Sequence, residues 1–190
     1  MTLNEQKAAT RERLRATLRA MIPEARTAGS REICARLRAQ PIWSAAASVL
    51  LFVPTREEPD VWTLVTEALA GGKSVLLPRY SAGTDDYVGA VIRECPGDLQ
   101  PGEFGILEPN PACPIFNLKQ LDLALVPGIG FALNGARLGR GKGYYDRLLS
   151  GVPGWKCGVA FDGQVTDEIP VEPHDVRLNC ILTPTRWHVV

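Results

Sequence analysis

Residues 122–146, DLALVPGIGFALNGARLGRGKGYYD, contain the strand, turn and glycine loop that decide the fold. The first ten of these residues form an apolar run of the kind found in a strand buried on both faces of a parallel sheet. Asn134-Gly135 predicts a turn. The glycine loop that follows should lead into a short helix through Leu149. A strand, a loop and a helix in this order form the unit from which parallel α/β sheets are built.

Apolar runs alternate with amphipathic segments along the rest of the chain. Helices are predicted at residues 4–20, from Ser30 to the Gln40-Pro41 step, and from Pro59 to Gly71-Gly72. Further strands are predicted at 49–53, 74–77, 87–92, 121–126, 157–161 and 179–182. This pattern favours one α/β domain over residues 1–190, with three α/β/α layers and a mostly parallel, doubly wound sheet.

The segment from Cys95 to Pro114 is rich in proline and glycine. We predict a long irregular connection there. Connections of that length within compact domains usually form functional lids or walls.

Composition excludes several classes of protein. Lysine and arginine together number 21, as do aspartate and glutamate, so no overall charge attracts nucleic acid. Five cysteines without a C-x-x-C pair fit a reducing cytoplasm better than a zinc or disulfide framework. The longest apolar run is about half of what a membrane span needs. We therefore expect a cytoplasmic monomer that binds neither nucleic acid nor membrane.

The loop at residues 137–146 has the composition of a phosphate site. Its glycines let the backbone approach a ligand and expose N–H groups, while its cations neutralise phosphate oxygens. The loop is not a Walker A sequence, because Gly143 stands where Ser or Thr would bind magnesium. It is not a dinucleotide fingerprint either, because Tyr144 replaces the last glycine. An ordinary solvated loop is the alternative, but it leaves Tyr144-Tyr145-Asp146 unexplained.

Several segments in order resemble one known family. LVPGIGF at 125–131 and NGARLGRGKGYYDRLL at 134–149 are similar to the signature of the 5-formyltetrahydrofolate cyclo-ligases, also called methenyltetrahydrofolate synthetases. Lys7 and Arg11, GGKSVLLPRY at 71–80 and PHDVRLNCILTP at 173–184 follow the order of that family. The resemblance covers nearly the whole chain.

The resemblance implies a function and a set of site residues. The implied reaction is cyclisation of 5-formyltetrahydrofolate to 5,10-methenyltetrahydrofolate, with ATP as co-substrate and Mg²⁺ as cofactor. The implied catalytic residues are Lys142 and Arg140, and the implied metal ligands are Asp146 and Asp175. The implied ATP-binding residues are Lys7, Arg11, Arg137, Gly139, Arg140, Gly141, Lys142, Gly143, Tyr144 and Tyr145. The implied folate-binding residues are Val53, Glu58, Arg140, Gly141, Lys142, Gly143 and Tyr144.

Chemistry supports Glu58 as the folate anchor. A pterin ring presents two parallel N–H donors, which a carboxylate can accept as it accepts a guanidinium. The alternative is that Glu58 only favours the start of the helix at Pro59. Asp146 could likewise be only a helix-capping carboxylate, and Tyr144 only a core tyrosine.

Two further function classes remain open at this point. The chain could be a non-catalytic nucleotide- or folate-binding regulator, or a phosphoryl-transfer enzyme for another small substrate. Ala132 and Asn179 depart from acidic residues that are common in the family. His174 is interpreted as a loop residue that orders its turn, and His188 as a structural residue.

Overall fold

A seven-stranded sheet forms the centre of the protein in a computed structural model, which describes residues 1–190. Its strands, in chain order, are β1 (Ser48–Leu50), β2 (Ser74–Ser81), β3 (Asp86–Ile92), β6 (Leu123–Val126), β9 (Trp155–Val159), β11 (Cys180–Leu182) and β12 (Trp187–Val189). The remaining strands are β4 (Leu99–Pro101), β5 (Leu107–Pro109), β7 (Gly130–Ala132), β8 (Arg137–Leu138) and β10 (Val165–Thr166). The helices are α1 (Leu3–Ala20), α2 (Pro23–Arg38), α3 (Pro41–Ala45), α4 (Trp62–Ala70) and α5 (Tyr144–Leu149).

The sheet has the order β12-β11-β9-β6-β1-β2-β3. Its five central strands are parallel, and the two edge strands, β3 and β12, are antiparallel to their neighbours. From β1 the chain first adds strands on one side and then, beginning with β6, on the other. The predicted doubly wound, mostly parallel sheet is confirmed. Ligands of such sheets bind where the order reverses, at the carboxyl ends of the strands, which here means next to β1 and β6.

Alternating strand residues supply the cores on the two faces of the sheet. Val49 and Leu51 point to the face covered by α1 to α4. Leu50 points to the opposite face, where Leu148 and Leu149 of α5 pack. This second layer is thin, because α5 has only six residues and loops and short strands cover the rest. None of the helices is sufficiently long and apolar to span a bilayer.

Several elements differ from those predicted: β1 ends at Leu50 and not at 53, β2 continues to Ser81, and β9 covers Trp155–Val159 and not 157–161. Helix α2 begins at Pro23, because proline suits the first helical position, and not at Ser30. Helix α4 begins at Trp62, whose N–H donates to the Asp60 carboxylate at 2.9 Å, so the predicted start at Pro59 was wrong. The segment from Cys95 to Pro114 is not wholly irregular, because β4 and β5 form a hairpin within it.

Candidate active site

A cleft of about 300 Å³ opens at the carboxyl ends of β1 and β6. All the site residues that the family resemblance implies line this one cleft: Lys7, Arg11, Val53, Glu58, Arg137, Gly139, Arg140, Gly141, Lys142, Gly143, Tyr144, Tyr145, Asp146 and Asp175. They come from α1, the loop after β1, the glycine loop, α5 and the loop before β11. The fold thus brings together segments that are up to 168 positions apart.

The glycine loop has a backbone that only glycine adopts easily. Gly141 and Gly143 have φ angles of 107° and 69°. Arg11 reaches the loop from α1, and its Nε donates to the carbonyl of Gly139 at 2.9 Å. Gly143 is the N-cap of α5, which begins at Tyr144, and the predicted end at Leu149 is confirmed.

Lys7 lies in a buried ion-pair network and is not a free cation. Its Nζ lies 2.7 Å from Glu172 and 2.8 Å from Asp175, and the residue is only 7% exposed. Burial alone would lower the pKa of Lys7, but hydrogen bonds to both carboxylates and their charges raise it. Burial alone would raise the pKa of Asp175, but Lys7 and the Glu172 N–H lower it. Both shifts favour the charged forms, so the pair ties α1 to the loop before β11.

Arg137 and Asp146 form a second pair at the base of the cleft. Arg137 Nη2 lies 2.9 Å from Asp146 Oδ2, and both side chains are largely buried. The other oxygen of Asp146 accepts the Val176 N–H at 3.2 Å. The Nε–H of Arg137 is buried and has no partner within the protein. A buried donor of this kind costs about 1–3 kcal/mol unless an acceptor reaches it.

Asp146 and Asp175, the predicted metal ligands, both line the cleft. Magnesium takes oxygen ligands, usually one or two carboxylates with phosphate oxygens and water. A carboxylate has about four lone-pair sites. Asp146 uses two of them, for Arg137 and Val176, and Asp175 directs its Oδ1 toward only the His174 ring, at 3.7 Å. Acceptor capacity therefore remains on both predicted ligands.

Glu58 and Arg140 also line the cleft and form an ion pair there. Arg140 Nη2 lies 3.1 Å from Glu58 Oε1 and donates to Thr55 Oγ1 at 2.8 Å. The other Glu58 oxygen accepts the Thr55 N–H at 2.9 Å. The Glu58 side chain is 9% exposed and that of Arg140 is 48% exposed. The predicted folate anchor is thus a nearly buried carboxylate whose cationic partner can move into solvent.

The three cations of the glycine loop differ in their environments. Arg137 is buried and paired, and Arg140 is half-exposed and paired with Glu58. Lys142 is exposed and lines the cleft, and its ammonium group has no ion-pair partner in the protein. Lys142 is therefore the loop cation that can pair with a bound anion without breaking an ion pair within the protein.

Four aromatic rings form a cluster beside the cleft: Tyr80, Tyr87, Phe104 and Tyr144. Their centroids lie 5.1 to 6.5 Å apart, mostly edge to face. Phe104, from the turn between β4 and β5, is 49% exposed. Tyr144 thus belongs to a surface cluster and is not the buried core tyrosine of the alternative interpretation.

Carboxylates that the sequence did not single out hold this cluster. Asp85 accepts a hydrogen bond from the Tyr80 hydroxyl at 2.7 Å, which raises the pKa of Tyr80 to about 12. Glu108, only 5% exposed, accepts the Tyr80 N–H and the Tyr87 hydroxyl. Burial, together with the charge of Glu108, raises the pKa of Tyr87. No local signal marks Glu108, because its partners lie on β2 and β3.

We expect the ion pairs of Lys7 with Glu172 and Asp175 to stabilise the fold at neutral pH and to lose this effect in acid. Lys7→Met leaves the largely buried Asp175 carboxylate and the partly exposed Glu172 carboxylate without their cation, which should cost about 3 kcal/mol of unfolding free energy at pH 7. Because the native pKa of Asp175 is lowered, its contribution is present above the unfolded pKa of about 3.9 and is lost as pH falls through the native value. The cost of Lys7→Met should therefore shrink below about pH 3.5. Urea unfolding of the wild type and the variant at pH 7 and below about pH 3.5 measures the difference in unfolding free energy.

Arg38→Met is the matched control for that experiment. It removes an exposed ion pair with Glu67 at 2.7 Å, so it should cost less than about 1 kcal/mol. An equal cost of Lys7→Met at both pH values would contradict the predicted role of the carboxylates.

The fold and the cleft together define a class: an α/β protein with a doubly wound sheet. Its cationic glycine loop and its Glu58 carboxylate line one cleft, where the order of the strands reverses. The model of the 5-formyltetrahydrofolate cyclo-ligase family matches residues 3–184, and the chain belongs to that family of ligases. This confirms the resemblance of the sequence motifs.

Individual relatives agree with the family assignment. A 5-formyltetrahydrofolate cyclo-ligase from Mycolicibacterium smegmatis is 37% identical over 147 residues, which cover 73% of this chain and 74% of the relative. The 5-formyltetrahydrofolate cyclo-ligase of Mus musculus is 28% identical over 198 residues, which cover 96% of this chain and 95% of the relative. The structure of Aquifex aeolicus 5,10-methenyltetrahydrofolate synthetase superposes with a TM-score of 0.86 at 31% identity, covering 96% of this chain and 92% of that chain.

Proposed function

We propose that this chain catalyses the ATP-dependent cyclisation of 5-formyltetrahydrofolate to 5,10-methenyltetrahydrofolate, with release of ADP and phosphate. One observation carries the proposal: the cationic glycine loop and the nearly buried Glu58 carboxylate face the same cleft, and Arg140 spans them at 3.1 Å from Glu58. Such a cleft can hold a triphosphate and a flat heterocycle side by side. Membership of the cyclo-ligase family supports both ligands.

The two walls of the cleft are assigned to the two substrates. On the nucleotide side, Lys142 and the amides of the glycine loop bind the terminal phosphates, with Arg11 holding the loop by its bond to Gly139. The unpartnered Nε–H of Arg137 supports an acceptor from the ligand at the base of this wall. On the folate side, Glu58 accepts the pterin N–H groups and Val53 lines the same pocket.

The reaction needs a better leaving group on the formyl carbon. The formyl oxygen attacks the terminal phosphorus of ATP, the bond to the bridging oxygen breaks, and ADP leaves. N10 then attacks the activated carbon, and the phosphorylated oxygen departs as phosphate, closing the five-membered ring. No protein nucleophile is required, and the N10 proton passes to solvent or phosphate.

The contribution of the protein is positioning and charge. Lys142 and Arg140 neutralise the charge that spreads over the transferring phosphoryl group, an effect that is strongest in a cleft with little water. Glu58 holds the pterin so that N10 lies close to the formyl carbon. Magnesium bound by Asp146 and Asp175 would supply further positive charge to the phosphate oxygens.

We expect the purified protein to form the methenyl product from 5-formyltetrahydrofolate and Mg-ATP. The product carries a conjugated amidinium chromophore, so absorbance reports it directly. Omitting ATP, or adding excess chelator, should abolish the signal. If no chromophore forms although folate and ATP bind separately, the chain is a binding module. If ATP is hydrolysed with another small acid but not with the folate, it is a different phosphoryl-transfer enzyme.

A cytoplasmic location and a monomeric state stay predictions. The location follows from cysteine usage, and the five cysteines are free, as a reducing compartment would require. Light scattering of the purified protein measures its mass directly.

A further inference from the structure

Arg147 does not line the cleft, but its side chain contacts the backbone of the glycine loop. Its Nη1 donates to the carbonyl of Lys142 at 3.1 Å, and its Nε lies 3.1 Å from Asp86 Oδ2. Its guanidinium carbon is 5.1 Å from the centroid of the Tyr144 ring. One side chain thus contacts the loop backbone, the first residue of α5 and the strand β3.

Gly143 leaves the space that Arg147 uses. A Cβ at this position would lie 3.1 Å from Arg147 Nη1, closer than most such contacts, and the φ of 69° is strained for other residues. The glycine therefore permits both the turn and the approach of the guanidinium.

The tip of the β2–β3 hairpin supplies the acidic partners. Asp86 binds Arg147, and Asp85 accepts the Tyr144 hydroxyl at 3.4 Å. Asp85 has a φ of 48°, the one positive φ outside glycine in this protein. Such a conformation costs free energy and persists where the surrounding contacts impose it. Two adjacent carboxylates thus hold two residues of α5.

The contact with Lys142 sets the orientation of a peptide group. Because a trans peptide is planar, the Gly143 N–H points opposite to the Lys142 carbonyl. Arg147 holds that carbonyl, so the Gly143 N–H is directed away from Arg147. Gly143 lines the cleft, and its N–H belongs to the amides assigned to phosphate binding.

We propose that Arg147, oriented by Asp86, is a positioning residue that fixes the Lys142–Gly143 peptide for nucleotide binding. The inference rests on the proposed function, because it requires the glycine loop to contact phosphate. The ion pair has a small structural role at most: both partners are partly exposed, and exposed pairs add little to stability.

Arg147→Met tests the proposal, because it keeps the aliphatic stem and removes the fork of donors. We expect the KM for Mg-ATP to rise about tenfold and kcat to fall about tenfold, while the KM for 5-formyltetrahydrofolate stays within about twofold. A purely structural role would lower the melting temperature without separating the two KM values. Arg38→Met, which removes an ion pair between two residues outside the cleft lining, is the control and should change neither KM.

Exchanging the charges of Asp86 and Arg147 distinguishes the effect of their ion pair from the effect of the hydrogen bond to the Lys142 carbonyl. The double variant Asp86→Arg/Arg147→Asp restores opposite charges, but a carboxylate at position 147 cannot donate to the Lys142 carbonyl. We expect it to remain as impaired as Arg147→Met. Recovery of wild-type KM for ATP in the double variant would overturn the proposal, since the pair alone would then suffice.

A measurement of Mg-ATP binding in the absence of folate tests the role of Arg147 independently of the proposed reaction. If the wild type forms no methenyl product, the proposed function fails, and titration of Mg-ATP alone still measures the effect of Arg147. A dissociation constant about tenfold weaker in Arg147→Met supports the positioning role. Equal dissociation constants in the two proteins, or no ATP binding by the wild type, overturn it.

Discussion

Lys142→Ala is expected to lower kcat of the cyclisation by about a thousandfold, the loss seen when a preorganised charge contact to a transition state is removed. Lys142 is the glycine-loop cation with no ion-pair partner, so its ammonium group is available to the transferring phosphoryl group. Because the side chain is exposed, its removal leaves no buried group unsatisfied, and the variant should fold normally. Initial rates of methenyl formation, compared with the thermal unfolding midpoint, measure both effects.

Lys119→Ala is the control for that variant. Lys119 is also exposed but lies in the short 3-10 turn before β6, outside the cleft. Its removal should leave the rate unchanged. A Lys142→Ala protein that turns over like the wild type would eliminate the proposed charge stabilisation.

Glu58→Ala is expected to raise the KM for 5-formyltetrahydrofolate about a hundredfold, with the KM for ATP changed by less than about threefold. A site built to accept two N–H groups loses both when the carboxylate is removed, and the pterin donors are left unpaired. Glu58→Gln should have a smaller effect, because the amide keeps one acceptor oxygen but presents donors to the other N–H. Steady-state kinetics with each substrate varied in turn distinguishes the two KM values.

Glu57→Ala supplies a matched control for the Glu58 variants. Glu57 is the neighbouring carboxylate and lies 3.9 Å from Arg19, outside the cleft lining. It should leave the KM for folate unchanged. The pair between Glu58 and Arg140 allows a contrary outcome: if only the KM for ATP rose, Glu58 would act by holding Arg140 and not by binding the folate.

Local sequence patterns predicted the elements that the fold uses to build the site. The apolar run before Pro127 is a central parallel strand, and the Asn134-Gly135 turn closes the β7–β8 hairpin. Boundaries were less predictable where the signal was weak. Helix α2 extends back to Pro23 through polar residues that carry no apolar stripe, and β4 and β5 pair within a segment whose prolines favoured irregular structure.

A candidate anion site was also predicted from the sequence, but the partners of its residues were not predictable. Glycines and cations alternate in one loop, so local composition alone predicts an anion site. That Arg137 is buried against Asp146, whereas Lys142 is exposed, depends on how α5 packs. The pair between Arg140 and Glu58 joins residues 82 positions apart, and composition cannot reveal it.

The amino-acid sequence by itself determined the parallel sheet and the cationic glycine loop, because hydrophobic periodicity, glycine conformational freedom and side-chain charge are properties of short segments. The order of its motifs indicated the family and the predicted site residues that line the cleft. Only the tertiary structure decided which charges are paired, which carboxylates keep acceptor capacity, and that Arg147 and Asp86 hold the glycine loop. Those contacts form between elements that are remote in the chain, and the order and twist of the sheet set the distances between them.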